Sequence, residues 1–205
     1  HAAGMTAEAL EAQVHRAGDR YRGARPAGEP LLAAFSAPPL QGGLVVAGAD
    51  GSQVYPDRHA AALYFVVQVG GLAMEIGSGL PPQIRTRPQI FYLPEDLHDQ
   101  DGHPIGNAMV NGRRDAEEMC ALADWAEAYT GRPFVALLDN GLLLWFALQV
   151  REQNQKDVDR ILQAYLGHLD RLKAGGGCVA GFIDRPRSAL GDGQELAPAH
   201  DRDPA

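Results

Sequence analysis

The sequence predicts an α/β fold: a mixed five-stranded sheet in the order β-β-β-α-β-α-β, with flanking helices. Two observations carry this. Short runs dense in β-formers alternate with longer stretches of helical period in the second half of the chain. Two of those runs, LVVAGAD and FVALLD, end in an acid.

Residues 6–22 place Leu10, Val14, Ala17 and Tyr21 at helical spacing and predict a helix. The opening HAAGM reads as a cloning scar ahead of Met5, and residues 23–43, rich in Gly, Pro and Ala, read as a connector. Leu44–Asp50, Ala62–Val69 and Gly71–Ile76 predict three antiparallel strands, the last two joined by a hairpin at Gly70-Gly71. Residues 77–106 read as a turn-rich excursion with one short strand near Ile90–Leu93. A helix follows from Asn111 to Tyr129, stopped by Gly131 and Pro133. Phe134–Asp139 is a short apolar run of buried-strand type. Leu143–Leu172 predicts a long helix ended by the glycines at 175–177, and Cys178–Asp184 a last strand. The organisation expected is residues 1–43 as N-terminal scar, helix and linker, 44–186 as the core, and 187–205 as a flexible tail.

Composition narrows the function. With 45% hydrophobic residues the chain can build a core, and no apolar run reaches the length of a membrane span. Lacking a basic-then-apolar opening, it is expected in the cytoplasm, with Cys120 and Cys178 as buried thiols. A net charge of −8 argues against a protein that coats nucleic acid non-specifically.

The element order is that of a ribonuclease H-like fold. Right-handed crossovers would set the Phe134 strand beside the Leu44 strand, bringing Asp50 and Asp139 to adjacent strand ends. Asp50 taken alone, in GADGSQ, is equally a turn residue. The helix between them offers a third acid. Glu118 shares the apolar stripe of Leu122, Trp125 and Tyr129, whereas Glu117 lines up with Ala121, Asp124 and Ala128. Three carboxylates without matched bases repel, and a divalent ion relieves them. All-oxygen ligation suits Mg²⁺ or Mn²⁺, and such sites clamp a phosphodiester, commonly with two ions.

Five segments resemble the NurA nucleases: ADGSQVYPDRH with ALYFVVQVGG (49–71), FYLPEDLHDQDG (91–102), VNGRRDAEEM (110–119), ALLDNGLLLW (136–145) and GFIDRPRS (181–188). The resemblance implies a manganese-dependent DNA nuclease, homodimeric, nucleoid-associated, and working with the hexameric HerA ATPase in DNA end processing and double-strand break repair. It implies Asp50, Glu118 and Asp139 as catalytic and metal-binding residues. Two departures stand out. Asp139 is followed by Asn140-Gly141, where the family has Gly and a small residue. The family's C-terminal segment, which supplies a His, is matched only by LAPAH, making His200 its sole candidate. A nuclease-like module that binds the ATPase or DNA without cutting is the alternative.

Arg58 and Arg114 are candidates to hold phosphates; the alternative is a carboxylate partner, Asp57 or Asp115. His98 and His103 lie in an acidic loop without metal-ligand spacing, and the glycines at 175–177 lack the Lys-Ser/Thr of a phosphate-binding loop.

Overall fold

The computed structural model describes residues 7–17, 36, 39, 42–99, 102–139, 142, 144–148 and 155–182. The chain divides into two units, Leu40–Ile183 and the two terminal segments together. Of the terminal unit, helix α1 (Ala7–Ala17) is described; it accounts for the middle of the expected 6–22 helix. Most of the connector, and the whole C-terminal tail including His200, lie outside the described residues.

The core unit follows β1 (Val45–Val54), β2 (Phe65–Glu75), β3 (Gln83–Phe91), a single-turn α2 (Pro94–Leu97), α3 (Asn107–Ala128), β4 (Phe134–Leu138), a 3-10 turn (Trp145–Leu148), α4 (Gln155–Ala174) and β5 (Gly177–Gly181). The strands form one sheet in the order β3-β2-β1-β4-β5. β1 pairs antiparallel with β2 and β2 with β3, while β4 lies parallel to β1 and β5 parallel to β4. This is the ribonuclease H-like arrangement, with α3 and α4 as the crossovers.

One face of the sheet carries the core. Val45, Ala47 and Ala49 of β1, Phe65, Val67 and Val69 of β2, and Phe134, Ala136 and Leu138 of β4 are all buried. Met119, Leu122, Trp125 and Ala126 of α3 pack over them, so the predicted stripe is the buried one. α4 adds Val158, Ile161, Tyr165 and Leu172.

Several expectations are corrected. β2 runs unbroken through Gly70-Gly71, so there is no hairpin there. The pair serves close approach instead: a Cβ on Gly71 would lie 3.0 Å from Trp125 Nε1, and the missing side chain lets the indole seat on the sheet. The third strand is therefore Gln83–Phe91, nine residues in the supposed excursion, closing the meander through a turn with Gly77 and Gly79 at positive φ. β1 itself continues four residues past Asp50, which is a strand residue and not a turn residue. Of the expected long helix, Trp145–Leu148 form a 3-10 turn instead, and the described helix α4 spans Gln155–Ala174. Cys178 is exposed and Cys120 half-buried, so neither is a buried thiol as expected. An edge-ward position on β5 exposes Cys178, and Arg87 reaches Cys120 Sγ at 3.2 Å.

Candidate active site

Strand alternation decides where the acids point. Ala49 and Gly51 face α3, so Asp50 between them is exposed on the opposite face. Asp139 is the exposed residue just past β4. The parallel register pairs Ala49 with Leu138, so the next residues, Asp50 within β1 and Asp139 at the end of β4, are neighbours. Together they line a cavity of about 470 Å³ whose other walls include Gly48, Gly70, Leu72 and Phe182. The meeting that topology predicted for these two is present.

Glu118 approaches from the other side. It is 5% exposed, the inward acid of the Glu117–Glu118 pair, while Glu117 accepts a hydrogen bond from Gln89 at 2.6 Å. Burial pushes its carboxyl up to about 7; nearby Arg114 opposes this, Asp115 and Asp50 add to it, and the Gly51 N–H hydrogen bond opposes it. The contact with β1 exists because residue 51 is glycine. A Cβ there would lie 2.6 Å from both Glu118 Oε1 and Arg114 Cγ.

Arg114 is the counter-charge. Its Nε lies 3.3 Å from Glu118 Oε1 but is not aligned for a hydrogen bond, leaving that buried N–H without an acceptor. Its Nη2 donates to Asp115 Oδ1 at 2.8 Å and its Nη1 to Gln53 Oε1 at 3.0 Å. Burial raises the Asp115 carboxyl, with Arg114 pulling against it. The Tyr165 hydroxyl is likewise raised, by burial first and then by Asp115 and Glu118. Beyond Gln53, Tyr55 donates to Asn111 Oδ1 at 2.8 Å, tying the end of β1 to the start of α3.

Among the described residues, no three His, Cys, Asp or Glu side chains are arranged to hold an ion. Asp50 and Asp139 share the open face, while Glu118 stays on the covered face with Arg114. The donor chemistry nonetheless suits a hard divalent cation: three carboxylates flank β1, Asp50 and Asp139 on one face and, where Gly51 carries no side chain, the buried and anion-disfavoured Glu118 on the other. Glu118 would exchange Arg114 for the ion.

The other candidates separate cleanly. Arg58 is exposed, with no ion pair among the described residues. Arg114 has the carboxylate partner that was its alternative. His98 contacts the Pro94 carbonyl and His103 sits 3.5 Å from Asp99. Phe91 is stacked on Phe65 at 4.4 Å. Gln53, Asn111, Asp115 and Tyr165 were not singled out as site residues by the sequence. Asn111 and Glu118 are seven apart on one helix face, and Gln53 alternates with Gly51, so both carried a signal. Tyr165 carried none, because only the packing of α4 on α3 brings it here.

Residues 44–188 match the NurA domain family. The chain belongs to the NurA domain family. No curated protein matched it. Among solved structures, it is similar to the NurA nuclease from Sulfolobus solfataricus at 14% identity, covering 71% of this chain and 50% of that one, with a TM-score of 0.40. A crystal structure of NurA with manganese shows 14% identity over 69% of this chain and 35% of that one, TM-score 0.31. LC9-RNase H1, described as a type 1 RNase H with the type 2 active-site motif, shows 15% identity over 74% and 67%, TM-score 0.39. The chain thus spans half or less of the length of these two NurA structures. No helix among the described residues is long and apolar enough to cross a membrane.

Proposed function

We propose that this NurA domain is a metal-dependent deoxyribonuclease that hydrolyses phosphodiesters at Asp50, Glu118 and Asp139. The observation that supports it is the placement of these acids around β1: two neighbouring on the parallel strands β1 and β4, the third on the crossover helix and touching β1 through Gly51. These three carboxylates would hold Mn²⁺ or Mg²⁺, which when bound supplies activation of a water and neutralisation of the phosphate charge. The chain's own residues prepare that site. The Gly51 N–H holds Glu118 against β1, and the Asp115–Arg114–Gln53 link fixes the guanidinium beside it. Arg58, exposed beyond the end of β1, would meet a phosphate. In the cell the domain would act in the cytoplasm as a homodimer, with a HerA-type ring ATPase gripping the duplex and feeding it an end for resection and break repair. A chain at −8 is poorly equipped to capture duplex by itself.

A second reading is a module that binds DNA or the ATPase without cutting. The engagement of Glu118 by Arg114, and the lack of a closed three-acid cluster among the described residues, favour it. Titrating Mn²⁺ into a single-stranded DNA cleavage assay separates the two. Under the nuclease reading, cleavage appears with metal and Asp50→Asn abolishes it without loss of fold. Metal-independent inactivity of the parent chain, with DNA or HerA binding retained, supports the second reading.

A further inference from the structure

Arg114 and Glu118 stand one turn apart on α3, at the i, i+4 spacing that favours ion pairs. They do not close into one. Arg114 Nε comes within 3.3 Å of Glu118 Oε1, yet its N–H is not aligned on that oxygen and, though buried, finds no acceptor. A carboxylate only 5% exposed beside a buried donor would ordinarily close on it, because both groups lose by staying apart. Something holds them off each other.

The restraint sits at the far end of the guanidinium. Nη2 donates to Asp115 Oδ1 at 2.8 Å, and Nη1 donates to Gln53 Oε1 at 3.0 Å. A side-on, bidentate grip on Glu118 needs Nε and Nη2 together, and Nη2 is committed to Asp115. Gln53 is itself fixed, its Nε2 donating to the Tyr55 hydroxyl at 2.8 Å and to Asn111 Oδ1 at 3.3 Å. The two anchors come from different elements, α3 and β1, so the guanidinium cannot turn without breaking one of them. Glu118 keeps the Gly51 N–H as a donor and a positive charge beside it, but its oxygens retain capacity for another partner.

We propose that Asp115 and Gln53 are positioning residues for the metal: by holding Arg114 off Glu118 they prevent a closed ion pair and keep that carboxylate open to a divalent cation. This assignment rests on the reading that Asp50, Glu118 and Asp139 hold such a cation. Each anchor acts through Arg114. Once either is released, the guanidinium turns onto Glu118, and a cation must then displace a bidentate pair in place of a loose one.

The test is calorimetric titration of Mn²⁺ into the full chain with no nucleic acid present. Glu118→Gln is expected to weaken binding, which locates the ion. Asp115→Ala and Gln53→Met are each expected to weaken it about tenfold, the size of effect that residues behind a metal ligand commonly have. The deciding comparison uses an Arg114→Gln chain, which has no guanidinium to turn. There both substitutions should leave Mn²⁺ affinity within about twofold. A field effect of the Asp115 charge, or a loss of local order, would persist in that background, and persistence overturns the assignment. Unchanged affinity in either single variant, equal binding by Glu118→Gln and the parent, or no Mn²⁺ binding by the parent overturns it as well. Circular dichroism checks each fold; if Asp115→Ala unfolds, Gln53→Met with and without Arg114→Gln carries the test. Cleavage of single-stranded DNA with Mn²⁺ is scored separately. Anchor effects on Mn²⁺ binding without cleavage remove the nuclease reading alone, and cleavage by a chain whose Mn²⁺ affinity ignores the anchors removes the positioning role alone.

Discussion

The two faces of the sheet are built to different rules. On the face under α3, every second residue of β1 from Val45 to Gly51 and of β2 from Phe65 to Ala73 is buried or reduced to glycine, and the helix above supplies Met119, Leu122 and Trp125. The other face is apolar too, yet Leu72, Met74, Ile84, Ile90 and Leu137 are exposed, Ile84 to 76%. The acids are divided between the faces in the same way. Glu118 belongs to the covered one and titrates under the control of burial and Arg114; Asp50 and Asp139 belong to the open one. Gly51 is where the faces communicate, since removing one side chain from β1 lets a helix carboxylate reach the strand that bears Asp50. Packing on one face thus holds the chemistry offered on the other.

The largest expected effect tests the packing of the covered face. Met119→Ala, at a fully buried position, should lower the unfolding free energy by about 2–5 kcal/mol in urea, through lost burial and a residual cavity. A much smaller change would mean that α3 does not seat on the sheet as described.

Gly51→Ala breaks the communication itself. The added methyl must displace Glu118 or Arg114, with an expected destabilisation of about 1–3 kcal/mol. Cleavage should fall more than stability does, because the helix carboxylate leaves β1 while the core beneath stays packed. Circular dichroism beside a nuclease assay reads both.

Glu118→Gln sharpens the electrostatic side. The folded-state carboxyl is raised from 4.5 to about 7, so the fold binds that proton more tightly than the unfolded chain does. Its stabilising contribution is full below about 4.5 and is lost as pH rises through about 7. With metal chelated, the parent should therefore lose melting temperature relative to Glu118→Gln across that window. A constant gap between the two, measured by scanning calorimetry from pH 4 to 8, would contradict a buried titrating acid.

The smallest effect is expected on the open face. Ile84→Ser should change stability by no more than about 0.5 kcal/mol, since the side chain is already in water. A loss of 2 kcal/mol or more would show that something covers this face in solution.

Much of this was legible in the residues. Strand order, the crossovers, the inward phase of Glu118 and the adjacency of Asp50 and Asp139 follow from apolar periodicity and the handedness of connections, both local or topological rules. Where the reading failed, glycine was the reason. Gly70-Gly71 has the chemistry of a hairpin and Gly51-Ser52 that of a turn, because glycine's freedom is the same whether a chain bends or another element needs room. Which use applies depends on Trp125 and on Glu118 with Arg114, residues more than fifty positions away. β3 was misread for a related reason: an edge strand alternating Arg, Thr, Arg, Pro and Gln buries little, so its pattern lacks the apolar signal that marks a strand.

The sequence by itself determined the central strands β1 and β4, the crossovers and the acids, because periodicity and chain handedness act before distant residues meet. Only the tertiary structure decided that Glu118 reaches β1 at Gly51, that Tyr165 joins it from α4, and that Arg85 rests on Trp125. Each of those depends on which side chains two separately specified elements press together, and no spacing along the chain encodes that distance.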